Sequence, residues 1–271
     1  MDKTILITGA SSGIGKATSK YFQEKGWNVI ATMRSPEKEV DLIKFENVLV
    51  TRLDVLYLAS IKDAIIKGIN KFGKINVLLN NAGYASYGLL EAASYEKIMR
   101  QFNTNVIGYL LVIREILPHF RKNKEGLIIN ISTIGGRIAF PLGTLYHGSK
   151  WAVEGISEAL SFELDAIGCK IKIVEPGVIA TDFYDRSFDF FNEESLIEYQ
   201  ETVQKTKNFL SLAGNMAEPA IAAAKVIYEA TTDGKDQLRY IVGDYAKETL
   251  ANRKKFDDAT FYKGFKTQIG F

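Results

Sequence analysis

The 271-residue chain has a single cysteine, Cys169, so no internal disulfide can form. A lone thiol fits a reducing compartment. Two histidines, His119 and His147, add almost nothing to a His/Cys zinc site, and no metal is expected. Neither sign of charge dominates: 34 Lys+Arg stand against 32 Asp+Glu, a net charge of +2. That balance lacks the basic footprint of a nucleic-acid binder. No run of about 18 uncharged apolar residues occurs, so no membrane span is expected. The first apolar run, residues 4–7, is too short for a signal peptide. There is no Gly/Ser/Pro-rich linker, repeat or low-complexity stretch. What is present, 46% hydrophobic and 24% charged residues, is the composition of an ordinary globular chain. A chain of this length buries most of its apolar surface without disulfides or metal. The expectation is a cytoplasmic globular protein of one domain, 1–271.

Short apolar runs rich in Val and Ile recur at 4–7, 28–32, 48–51, 77–80, 127–131, 170–174 and 240–242. The least alternating of them read as strands buried on both faces. Amphipathic patterns at 14–25, 59–72, 95–123, 146–167 and 219–231 read as helices. This alternation predicts an α/β fold of βαβ units, a doubly wound, seven-stranded parallel sheet with helices on both faces. The stretch 182–217 breaks the rhythm with Phe183, Tyr184, Phe188, Phe190, Phe191 and Tyr199. It reads as one or two helices over the sheet edge or as a mobile cover, with 183–217 covering the substrate. Core packing is the equal alternative for those aromatics. The tail, 244–271, carries mixed charge and scattered aromatics, and no element is assigned to it.

Directly after the first run comes Thr8-Gly9-Ala10-Ser11-Ser12-Gly13-Ile14-Gly15. Glycines between a strand and a helix allow a tight turn, close approach to a pyrophosphate and close helix–strand packing. The first N–H groups of the helix then face the phosphates. A plain strand–helix turn is the alternative.

The spacing Gly-x-x-x-Gly-x-Gly, with the preceding threonine, resembles the nucleotide motif of the short-chain dehydrogenase/reductase family. Further motifs follow in the family's order. Leu53-Asp54-Val55 is similar to its adenine-contacting segment, and Asn80-Asn81-Ala82-Gly83 to its signature after the fourth strand. Asn105 resembles its helix asparagine, and Tyr146-His147-Gly148-Ser149-Lys150 its Tyr-x-x-x-Lys. Pro176-Gly177-Val178-Ile179-Ala180-Thr181 resembles its nicotinamide-side loop. The segment 28–38 looks like the hydroxysteroid and retinol dehydrogenase branch. The resemblance implies a Rossmann-like fold and a nicotinamide cofactor. Its contacts would be Gly9, Ser11, Ser12, Gly13, Ile14, Gly15, Arg34, Asp54, Val55, Asn81, Ala82, Gly83, Tyr146, Lys150, Pro176, Gly177, Ile179 and Thr181. Met33 and Arg34 stand where an NAD site carries an acid, and a guanidinium there suits the 2′-phosphate of NADP. NADP(H) is therefore expected and NAD(H) possible; the alternative is that Arg34 is a solvated loop residue.

Tyr146 and Lys150 lie four apart, one turn along one helix face. A lysine ammonium there favours the phenolate and lowers a pKa that is otherwise near 10. The tyrosine can then exchange a proton with a carbonyl or alcohol oxygen. The family's third member, a hydroxyl 13 residues before the tyrosine, falls on Thr133, where a serine is usual; Ser132 is the fallback. Asn105 is the fourth, implied to hold a water linking Lys150 to solvent, with bonding to neighbouring backbone as the alternative. His147 and His119 are read as structural, and Glu163 and Asp165 as a solvated face.

The expected function is hydride transfer between NADP(H) and a carbonyl or secondary alcohol of a small apolar substrate. The resemblance also implies a homodimer or homotetramer through the helices at 95–123 and 146–167. Two rivals remain: a non-catalytic NADP sensor on the same fold, and a 3-oxoacyl-type reductase.

Overall fold

The computed structural model describes residues 3–181, 187–214 and 216–271. Strands β1 (Thr4–Ile7), β2 (Asn28–Met33), β3 (Val48–Arg52) and β4 (Val77–Asn80) come first in the main sheet. Strand β5 (Ala85–Gly88) stands apart from it, and β6 (Gly126–Ile131) and β7 (Cys169–Pro176) follow. After β8 (Ile179–Ala180), β9 (Phe188–Phe191) and β10 (Glu218–Pro219), β11 (Arg239–Val242) closes the sheet's far edge. The seven-stranded order is β11-β7-β6-β4-β1-β2-β3, and every pair in it is parallel.

The apolar runs are continuous because both faces of the sheet are covered. Ile5 and Ile7 turn to one core and Leu6 to the other, and all three are fully buried. Helices α1 (Gly13–Glu24) and α2 (Leu58–Phe72) follow the first and third strands. Phe22 of α1 packs with Val29 on one face, and Ile61 of α2 with Ile30 on the other. The chain winds outward in both directions from the β1–β4 boundary. Crevices at such switch points, beyond the strands' C-terminal ends, receive ligands.

The expected helix at 95–123 is divided. Helix α3 (Tyr95–Phe102) passes through a π-helical turn, Asn103–Ile107, into α4 (Gly108–Asn123). Ser94 caps α3 by accepting a bond from the Lys97 N–H. Helix α5 (Thr144–Asp165) carries the Tyr-x-x-x-Lys pair. Among its described residues, the segment expected to be a cover forms a strand and a helix rather than helices alone. Strand β9 pairs in parallel with β5, setting Phe188 opposite Ala85 and Phe191 opposite Gly88. Helix α6 (Gln200–Gly214) follows. Phe183 and Tyr184 lie outside the described residues.

After α7 (Ala220–Thr232) and β11, the tail forms α8 (Asp244–Lys255) and α9 (Asp258–Gln268). Ala246, Leu250, Phe261 and Phe265 pack on Ile134 and Ile138 in a third core beside the site. No helix among the described residues is long and apolar enough to cross a membrane.

Candidate active site

A cavity of about 460 Å³ opens at the switch point. Every residue predicted to bind cofactor or act in catalysis lines it, except Gly15 and Asn105. Gly15 holds α1 against the turn instead: a Cβ there would lie 2.3 Å from the Gly9 carbonyl oxygen. Gly9 and Gly13 have φ of +70° and +53°, a region that glycine enters without penalty. Asn81 locks the same turn, its Nδ2 donating to the carbonyls of Thr8 and Gly9. Thr8 Oγ1 accepts from the N–H groups of Asn81 and Ala82.

Ser12 begins α1 in extended backbone, and its hydroxyl does not cap the helix. The hydroxyl and the first-turn N–H groups therefore remain to meet a phosphate. Arg34 is exposed at the end of β2 and forms no ion pair among the described residues. Asp54 lies across the cavity wall at the end of β3, where its Oδ1 accepts from the Leu56 N–H.

On α5, Lys150 is 4% exposed and donates from Nζ to the Ile131 carbonyl at 2.7 Å. Its ammonium lies 5.4 Å from the Tyr109 ring centre. Burial draws its pKa down to about 8, with Glu154 one turn onward opposing the fall. Burial, with Tyr146 adding, pushes the Tyr109 phenol far above its ordinary value. The Tyr146 ring packs 5.8 Å from Tyr87.

Thr133 Oγ1 donates to the Pro176 carbonyl at 3.0 Å and accepts from the Gly135 N–H. Ser132 also lines the cavity, and its hydroxyl is buried without a partner among the described residues, 2.6 Å from where a Cβ on Gly136 would stand.

Asn105 is fully buried, and its side chain clamps the Tyr84 backbone. Oδ1 accepts from the Tyr84 N–H, and Nδ2 donates to the Tyr84 carbonyl and to Ser149. Asn105 sits within the π turn, a distortion common at functional sites.

His147 is structural in its bonding, as expected, yet it lines the cavity. Its Nδ1 donates to the Gly135 carbonyl, a pure acceptor, so Nε2 accepts from the Tyr87 hydroxyl at 2.9 Å. Burial draws its pKa down to about 4. His119 accepts the Ile75 N–H outside the site. Glu163 and Asp165 are exposed.

Sequence reasoning missed part of the wall: Tyr84, Tyr87, Arg100, Phe140 and, from the tail, Tyr245. Phe188 and Phe209 fall within the expected cover. Nothing local marks the missed residues, because distant segments bring them to the cavity.

A family model described as short chain dehydrogenase matches residues 3–190. An uncharacterized oxidoreductase of Schizosaccharomyces pombe is 48% identical over 238 residues, covering 88% of this chain and 100% of that protein. A 3-ketodihydrosphingosine reductase of Bacteroides thetaiotaomicron is 41% identical over 181 residues, 67% of this chain and 65% of that protein. The solved structure of ElxO with NADP bound superposes with a TM-score of 0.75 at 29% identity, covering 92% of this chain and 100% of that one. The chain belongs to the short-chain dehydrogenase family and is a nicotinamide-dependent oxidoreductase.

Proposed function

We propose that the chain interconverts a carbonyl and a secondary alcohol on an apolar small molecule, using NADP(H). The observation that carries this is one cavity shared by the glycine turn, Arg34, Tyr146, Lys150 and Thr133. The donor set fits the coenzyme: uncapped Ser12 and helix N–H groups for phosphate, and for a 2′-phosphate a guanidinium that forms no ion pair among the described residues. Thr181 and the backbone at Ile179 would hold the carboxamide. When bound, the nicotinamide supplies or takes up a hydride.

The protein's own part is proton transfer and orientation. Tyr146 gives its phenolic proton to the developing alkoxide, or removes it from an alcohol. Lys150, beside it on α5, favours the phenolate by its charge. Thr133 orients the substrate oxygen. A water on the backbone of the π turn at Asn105 would return protons to Lys150.

Tyr87, Phe140, Phe188, Phe209, Leu210 and Tyr245 give the substrate end an apolar wall. The relative named as a 3-ketodihydrosphingosine reductase supports a keto substrate. The exposed apolar residues Met99, Leu110, Trp151 and Phe162 on α3–α5 support a homodimer or homotetramer. The lone Cys169 supports a cytoplasmic setting.

The test is NADPH consumption with a panel of apolar aldehydes and ketones. Tyr146→Phe should lower kcat by about 10²–10⁴ with little change in coenzyme affinity. A Phe variant that turns over normally would remove the tyrosine from the mechanism.

A further inference from the structure

Behind the catalytic helix lies a polar cluster that the chemistry above does not use. Glu154 on α5 and Glu175 on β7 are 5% and 0% exposed. Both converge on one donor: Arg239 Nε lies 2.9 Å from Glu154 Oε2 and 3.3 Å from Glu175 Oε1. Arg137, in the turn after β6, donates to Glu175 Oε1 at 3.1 Å. Arg239 also reaches Glu158 at the surface. The second oxygen of each carboxylate, Glu154 Oε1 and Glu175 Oε2, is buried without a partner among the described residues.

Two buried carboxylates on one guanidinium N–H, each with a stranded oxygen, are costly when both are ionised. One proton removes a buried charge and turns one stranded oxygen into a hydroxyl donor. Burial first, and then the charge of Glu154, raise the Glu175 carboxyl to about 7 against the pull of Arg137 and Arg239. The other charged or titratable groups facing the pair and its neighbour Lys150 are Glu158 from α5, Tyr109 from α4 and Tyr146 from α5.

We propose that Glu175 carries a proton on the acid side of neutrality, and that the carboxylate of Glu154 keeps the buried Lys150 ammonium charged. Glu154 is then a positioning residue, acting on the reaction through Lys150 from the next turn of α5. Glu175 sets how much charge Glu154 must share. This rests on the reading of Lys150 as the cation that serves Tyr146.

Three measurements test it. The first follows the Lys150 side-chain nitrogen by NMR across pH. Glu154→Gln should move its titration about one pH unit lower, and further than Glu175→Gln does. The second is the alkaline limb of kcat/KM for ketone reduction, which should move the same way in E154Q and recover in Glu154→Asp. An unmoved Lys150 titration in E154Q overturns the link.

The third needs no activity and compares urea midpoints of wild type and E175Q. A carboxyl raised in the folded state binds its proton more tightly there. Wild type should therefore lose stability as pH rises from about 4.5 to about 7. E175Q, already neutral, should lack that decline. Parallel curves overturn the proton. Should no carbonyl be reduced at all, the oxidoreductase reading of the site fails, while the NMR and urea measurements still decide the pair.

Discussion

Thr133 has one proton to give, and Pro176 holds it at 3.0 Å. The hydroxyl can therefore accept from a substrate alcohol as it stands. It can donate to a ketone only after releasing Pro176. The Ser132 oxygen, by contrast, is buried beside Gly136 without a partner among the described residues. Thr133→Ala should lower kcat/KM by about 10–10², the cost of a bond to a developing charge. Ser132→Ala should leave it within about twofold and, by removing a stranded buried oxygen, hold or raise the melting temperature. The reverse ranking in steady-state kinetics would move the role to Ser132. Arg34 is a second single-residue decision. Arg34→Asp replaces a guanidinium that makes no ion pair among the described residues with a charge that repels a 2′-phosphate. Its KM for NADPH should rise about tenfold or more while that for NADH changes little. Equal changes in both would make Arg34 a bystander.

Among the elements, the glycine turn is the most constrained. Gly15→Ala would place a Cβ 2.3 Å from the Gly9 carbonyl, where the neighbour is backbone and cannot swing aside. Overpacking of this kind costs about 1–3 kcal/mol. The variant should melt lower and bind coenzyme at least about tenfold more weakly. Gly155→Ala is the control, exposed in α5 with no atom within 4 Å of the new methyl. It should gain up to about 1 kcal/mol from helix propensity. Unchanged coenzyme titration of G15A would show that the turn tolerates a wider backbone. The same elements show what could be read without coordinates. The seven main strands were legible because two-sided burial forces unbroken Val/Ile runs such as Thr4–Ile7. The motif residues that converge on the cavity were legible because each is tied to a strand end or a helix face. Strand β5 was not, since Ala85-Ser86-Tyr87-Gly88 gains strand character only by pairing with β9. The π turn was equally silent, because Asn105 distorts the helix by bonding Tyr84, 21 residues earlier. Helix α8 buries only Ala246, Thr249 and Leu250, too thin a stripe to stand out among charges.

At the scale of the whole molecule, the far edge of the sheet depends on a buried charge cluster away from the cavity. Lys172 on β7 donates to Asp233 at 2.8 Å and to Tyr240 at 2.9 Å, and Tyr240 donates to Asp233 in turn. These bonds tie the end of α7 to β7 and β11. Burial opposes the Asp233 carboxylate, yet the bonds from Lys172 and Tyr240 bring its pKa down to about 2 from 3.8. A carboxyl depressed in the folded state stabilises above its unfolded pKa and loses that contribution as pH falls through the folded one. The stabilisation is thus complete above about pH 4 and gone below about pH 2. Its size is about 1–2 kcal/mol, the lower end allowing for solvent screening at the rim of the sheet. Asp233→Asn should lower the unfolding free energy by that amount at pH 7 and by nothing near pH 2. Its acid limb between pH 4 and pH 2 should be correspondingly shallower. Urea unfolding of both proteins at a series of pH values checks this. Curves separated by the same amount from pH 2 to pH 7 would show that Asp233 acts through packing and not through its charge.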